Sequence, residues 1–181
     1  MKKLLSKVYS ISSNINGLIA LSRFCHYRVP VAGKVLSFII DRAMMTIFGI
    51  DLRSFSVNVR SLSIAHPVGV MLGGNGVYSE GRVVIMGGVK FGGVSAKDPR
   101  YLEKHAVQRV FELGDNVVIS TGAVLIGPLS ICDNVIIGPL TLVNKSITEP
   151  GTYLGYPAKR MSSEVSYDWV EGMPVPPGKA K

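Results

Sequence analysis

The chain has 181 residues, a formal net charge of +8 and 47% hydrophobic content. That length suits one domain with an ordinary core, and the composition excludes a disordered or low-complexity chain. No apolar run is long enough to span a membrane, and two cysteines, Cys25 and Cys132, read as reduced core residues rather than a disulfide or zinc pair.

The charge is placed unevenly. Residues 1–60 hold nine Lys and Arg against two Asp, while residues 61–181 hold eleven against ten Asp and Glu. The basic head, residues 1–50, is expected to be helical over about 2–11, 15–28 and 33–48. Leu18, Leu21, Phe24, Leu36, Ile39, Ile40, Met44 and Ile47 recur there at helical spacing. Lys7 interrupts the first apolar run and no small-residue cleavage site follows, so no leader is expected and the chain is placed in the cytoplasm. A basic amphipathic head also fits the inner face of an anionic membrane. The plainer expectation is that it packs on the rest of the fold with its charges solvated. Nucleic acid has no aromatic or motif support as a partner.

Further on, Leu113, Ile119, Leu125, Ile131, Ile137 and Val143 stand six residues apart without a slip. Four residues after each comes Val117, Ala123, Leu129, Val135, Thr141 or Ile147. A period of six is neither that of a helix nor that of an ordinary strand. It is the hexapeptide repeat of a parallel β-helix, one short strand and one corner per hexad. Asp115-Asn116 and Asp133-Asn134 recur eighteen residues apart, three hexads, which would stack them at one corner. Six strict repeats weigh against an antiparallel sandwich. The β-helix is expected over residues 51–160.

Ile85 and Phe91 extend the inward register backwards, with Val89 as companion, and Val107 stands one hexad before Leu113. Residues 94–106 would then leave the coil as a charged loop of about ten extra residues, a usual place for function on a repetitive scaffold. The tail, residues 161–181, holds Trp169 as a candidate packing anchor and then a loose end. There are three histidines, His26, His66 and His105, and no CxxC or HxH, so no metal site is expected.

Several segments match one family in order. Ser22-Arg23-Phe24-Cys25-His26 resembles its YRxxH helix, and Phe48-Gly49-Ile50-Asp51-Leu52 its FxVDI entry into the first coil. His66-Pro67-Val68-Gly69-Val70 resembles HATGI, and Val89-Lys90-Phe91-Gly92-Gly93 resembles VTLGG. Ser120-Thr121-Gly122-Ala123 resembles GAGA, and Gly155-Tyr156-Pro157-Ala158-Lys159 the closing GxPA[KR]. From about residue 20 to 161 the chain thus resembles the serine acetyltransferase family and, most closely, its relatives that O-acetylate bacterial polysaccharides.

The resemblance implies a mainly β fold, a left-handed parallel β-helix with a short N-terminal helical region, assembled as a homotrimer. It implies acetyl-CoA as co-substrate, with no metal. His66 would be the general base that deprotonates the acceptor hydroxyl, and Asp51 would orient its imidazole. Backbone N–H groups at Gly92 and Gly93 would meet the oxyanion, glycine permitting close approach; a tight corner explains the same glycines equally well. Gly92, Gly93, Thr121, Gly122 and Lys159 match positions that contact the carrier. Pro139 matches another but has no N–H to donate. His105 is a second candidate for catalysis or acceptor binding, or else a loop surface residue.

Departures bear on the acceptor. The family's serine-handling aspartate just before the histidine is Ala65 here, and a longer helical domain carrying another is not matched. Loss of a carboxylate that pairs with an ammonium weakens amino-acid recognition. The expected reaction is therefore O-acetylation of a sugar hydroxyl in a surface polysaccharide or its lipid-linked precursor. The rivals are a serine O-acetyltransferase of cysteine biosynthesis and a non-catalytic hexapeptide-repeat scaffold.

Overall fold

The computed structural model describes residues 11–93 and 97–165. Two antiparallel helices come first, α1 (Ile11–Arg28) and α2 (Ala32–Phe48). The helix expected over residues 2–11 and the anchor at Trp169 lie outside the described residues. Gly33 lets the start of α2 sit against the Cys25 carbonyl, where a side chain would collide. Ser22 and Ser37 meet across the same seam at 2.8 Å. Small residues thus set the spacing of the hairpin.

The rest is a left-handed parallel β-helix. Among the described residues it makes five coils. The first holds β1 (Asp51–Leu52) and β2 (Val57–Ala65), the second β3 (Met71–Gly73) and β4 (Val77–Met86). The third holds β5 (Lys90–Gly93), the helix α3 (Pro99–Ala106), β6 (Phe111–Leu113) and β7 (Val117–Ile119). The fourth is β8 (Val124–Gly127), β9 (Leu129–Ile131) and β10 (Val135–Ile137); the fifth is β11 (Leu142–Val143) and β12 (Gly151–Leu154). One face stacks β1, β3, β5, β8 and β11. β2 and β4 each run over two faces, with an irregularity between Val59 and Ser61. A final strand, β13 (Lys159–Ser162), turns back antiparallel on β12.

The hexad register holds where it was strict. Ile85, Ile119 and Ile137 pair coil to coil, as do Phe91, Leu125 and Val143, and Leu113 with Ile131. All six repeat leaders and all six companions are buried. Like side chains stacked on like fill a narrow prism at crystal-like density, each full burial being worth about 1.5–3 kcal/mol. The outward residues Val84, Val118 and Ile136 are buried too, with Met86 and Val165 packed against them.

The two Asp-Asn pairs stack as expected. Asp133 accepts from the Asp115 N–H at 2.7 Å, Asp115 in turn accepts from the Arg82 N–H at 2.7 Å, and Asn116 donates to Asn134 at 3.2 Å. Asn116 and Asn134 both take positive φ, which Asn tolerates better than most residues.

The sequence expectation needs four corrections here. Val107 is not an inward position, being 63% exposed. Phe91 and Leu113 are 22 residues apart in sequence, whereas their partners Leu125 and Ile131 are 6 apart, so the insertion is 16 residues, not about ten. It is also not plain loop: α3 fills half of it, started by Asp98, which accepts from the Arg100 N–H at 2.9 Å, and by Pro99 in the first turn. Finally, Cys25 is buried, but Cys132 is only half-buried, although both are free thiols.

Among the described residues no coil lies beneath the first, and α1 takes that place. Asn16 donates to the Leu62 carbonyl at 2.6 Å, Arg23 to that of Val57 at 3.1 Å and Tyr27 to that of Phe55 at 3.2 Å. Ser12 accepts from the Ile64 N–H at 3.1 Å. A buried carboxylate ties α2 to the same coil: Asp41 accepts from Ser22 at 2.8 Å and from the Ser54 hydroxyl and N–H at 2.5 and 3.1 Å.

Candidate active site

One corner of the prism gathers most of the candidate residues. A ladder of backbone bonds climbs it: Gly69 N–H to Gly49, Gly88 to Val68, Gly122 to Gly87 and Leu140 to Thr121, each at 3.0 Å. Gly69, Gly88, Gly122 and Leu140 all take positive φ, so this corner turns left-handed in every coil.

The lowest corner differs from those above it. Ile85 to Val89, Ile119 to Ala123 and Ile137 to Thr141 are steps of four residues. Ile64 to Val70 is a step of six, although Ile64 pairs with Ile85 and Met71 with Lys90. The two extra residues are His66 and Pro67. His66 itself has a φ of 54° and is exposed, with Ala65 before it half-buried. The His66 carbonyl lies over Gly87, where any side chain would collide with it. The bulge therefore pushes an imidazole out of the stack, and the glycine above makes room for its backbone.

Asp51 reaches the same corner from the other side. Its N–H donates to the Val70 carbonyl at 2.9 Å, and its exposed side chain lines a shallow cleft with Arg42, Met45 and Arg53. Among the described residues no hydrogen bond joins the Asp51 carboxylate to His66. The two guanidiniums beside Asp51 flank the ring of Phe38 at 5.1 and 5.5 Å. Neither arginine was legible as a site neighbour, because one comes from α2 and the other from the coil.

Thr121 and Gly122 belong to the same ladder, and Pro139 directly precedes its Leu140 rung. Lys159 starts β13 at the top of the stack, where the Ala158 N–H donates to the Leu142 carbonyl at 2.8 Å. The structure thus places His66, Asp51, Thr121, Gly122, Pro139 and Lys159 along one edge.

Gly92 and Gly93 are placed elsewhere. They end β5, and Gly93 is four residues past Val89, roughly 13 Å along a strand. An oxyanion beside His66 is out of their reach within one chain. What Gly93 meets is the ring of Tyr101 on α3: a Cβ there would lie 2.6 Å from it. The Tyr101 hydroxyl donates to the Asn75 side chain at 2.5 Å, and His105 stacks on the Tyr101 ring at 5.5 Å. His105 therefore sits with the inserted helix at the far end of the face from His66. Tyr101 and Asn75 were missed in the sequence; the Asp98-Pro99 cap was the available signal for their helix.

The groups whose titration is displaced lie away from this corner. Arg100 beside Asp98 holds that carboxyl below its ordinary range. Burial pushes the Cys132 thiol up. His26, the third histidine, stacks on Phe55 at 4.7 Å and serves the seam between α1 and the coil. Among the described residues no three His, Cys, Asp or Glu come together as metal ligands.

No family model matches the chain. Over 137 residues it is 27% identical to a serine acetyltransferase of Buchnera aphidicola, covering 76% of this chain and 49% of that protein. The crystal structure of a serine acetyltransferase from Brucella abortus superposes with a TM-score of 0.71 at 21% identity, over 84% of this chain and 57% of that one. That of Neisseria gonorrhoeae gives 0.72 at 21% identity, over 88% and 58%. The chain is thus similar to serine acetyltransferases in sequence and shares their fold. It spans about half the length of the curated relative that it matches. These relatives are serine acetyltransferases, and none of them is a polysaccharide O-acetyltransferase. The closer resemblance to the latter is without support from them.

Proposed function

We propose that this chain is an acetyl-CoA-dependent O-acetyltransferase in which His66 is the general base. The observation that carries the reading is the two-residue bulge, which singles out one corner and presents one histidine from it. The similarity to serine acetyltransferases supports the reaction class.

In this reading a hydroxyl oxygen attacks the thioester carbonyl while an imidazole nitrogen of His66 takes its proton. The tetrahedral intermediate collapses, the C–S bond breaks, and the imidazolium returns the proton to the leaving thiolate. Asp51 shares the corner; among the described residues its carboxylate makes no hydrogen bond to His66, and it would have to swing to the ring to orient it. The edge running from Val68 past Thr121 and Pro139 to Lys159 offers a path for an extended carrier, with the Lys159 and Arg160 cations for its phosphates. Gly92 and Gly93 serve the oxyanion only across a subunit boundary, which fits the expected trimer.

The acceptor has two readings. The relatives' names favour serine. Ala65, which supplies no carboxylate for an ammonium, favours a neutral hydroxyl such as that of a sugar in a surface polysaccharide or lipid-linked precursor. Release of CoA from acetyl-CoA over a panel of serine, nucleotide sugars and glycan fragments decides between them, with His66→Ala as control. Turnover that vanishes in the variant while acetyl-CoA still binds is the expected result. No binding and no turnover would leave a hexapeptide-repeat scaffold.

A further inference from the structure

The α1–α2 hairpin sends Ile15, Ile19 and Met44 into the core but leaves other apolar residues in water. Its seam is made of small or polar residues, Ser22, Cys25, Gly33, Ser37 and Asp41, all buried. Four larger apolar side chains among the others point away: Phe24 is 60% exposed, Leu36 45%, Ile39 55% and Ile47 69%. On α2, Leu36, Ile39, Ala43 and Ile47 follow one another at three- and four-residue steps, one stripe of the helix. Such contiguous exposure on a soluble protein marks an interaction surface.

The charge around that stripe selects the partner. Arg28, Lys34 and Arg42 are exposed on the same hairpin. Among the described residues none of them is in an ion pair. The acidic side chain within the hairpin, Asp41, is buried and hydrogen-bonded to serines. An apolar stripe on a hairpin whose exposed charges are all cationic matches an anionic lipid surface, which takes the apolar residues below its headgroups and attracts the cations around them. A second copy of the hairpin would bring like charges face to face. No helix of the described residues is long and apolar enough to cross a membrane, so the contact is with a surface.

We infer that the outer face of the hairpin, centred on Leu36, Ile39 and Ile47, docks the protein on anionic membranes. This does not depend on what the coil catalyses, and it leaves the polar face of α1 free to cap the first coil.

The test is co-sedimentation of the full chain with phosphatidylcholine vesicles, with and without phosphatidylglycerol, at low and high salt. Binding is expected only with phosphatidylglycerol and is expected to fade as salt rises. Ile39→Glu with Ile47→Glu should abolish it, and Lys34→Glu should lower partitioning about fivefold or more. Both variants replace exposed groups, and unchanged circular dichroism checks their folds. Equal binding to neutral vesicles, or none to either kind, overturns the inference. So does an Ile39→Glu, Ile47→Glu variant that keeps its lipid binding but loses oligomer mass, which would assign the stripe to a second copy.

Discussion

The carbonyl of His66 occupies the space where a side chain at Gly87 would stand. The two residues are 21 apart in sequence and one coil apart in space. Gly87→Ala should therefore displace the bulge that presents His66. A loss of about 1–3 kcal/mol in stability is expected, typical of overpacking, with a fall in turnover larger than that loss of fold explains. Gly88→Ala is the comparison: φ there is +73°, but the added carbon meets the Gly122 backbone at an ordinary 3.5 Å. It should cost about 1–2 kcal/mol of left-handed strain and leave turnover by the folded fraction intact. Equal activity losses in the two variants would sink the link to His66.

Gly93 and Tyr101 should behave as a coupled pair. Gly93→Ala pushes against the ring, whereas Tyr101→Ala removes it. The double variant should recover part of the single-variant loss, with a coupling of about 0.5–3 kcal/mol in a denaturation cycle. Simple additivity would show that α3 does not rest on β5 in the way described.

Asp41 gathers three donors in a buried seam, from Ser22 and from the side chain and N–H of Ser54. Asp41→Ala leaves them without their acceptor, at a cost of about 1–3 kcal/mol. Hydrogen exchange should show the hairpin loosening before the coil. Uniform loss of protection across all five coils would argue instead for one cooperative unit.

Asp98 starts α3, and its carboxyl is held below the ordinary value of 3.8, first by the Arg100 side chain and then by the Arg100 N–H. A depressed carboxylate stabilises above its unfolded pKa, and that contribution disappears as pH falls through the folded one. Acidification below about pH 4 should fray α3, seen as faster exchange at Tyr101 and Leu102, and Asp98→Asn should remove the pH dependence. A pH-independent exchange rate at those amides, after correction for intrinsic chemistry, would refute the cap.

Coils three to five were legible because their inward residues obey one period, and coils three and four also repeat Asp-Asn at one corner. The first two were less so, since β2 and β4 pass round a corner without a break and their apolar spacing never settles at six. Val107 misled for a local reason. It stands six before Leu113 by coincidence, at the foot of a helix whose own start, Asp98-Pro99, was plain in the sequence. The histidine corner was nameable by resemblance but not by spacing, because its two extra residues become visible only when Ile64 is aligned on Ile85. On the hairpin, helical spacing grouped Leu36, Ile39 and Ile47 on one stripe. It could not say that Gly33 and Ser37 would take the inner side.

The polar face of α1 has one more effect. β2 is a nine-residue strand that pairs with β4 above it and, among the described residues, with no strand below, and a bare parallel strand of that length is a template for any other chain in extended form. Asn16, Arg23 and Ser12 occupy two of its lower carbonyls and an N–H with side chains that cannot be extended into a further strand. The stack consequently has a floor, and copies of the chain are barred from joining end to end into a fibre.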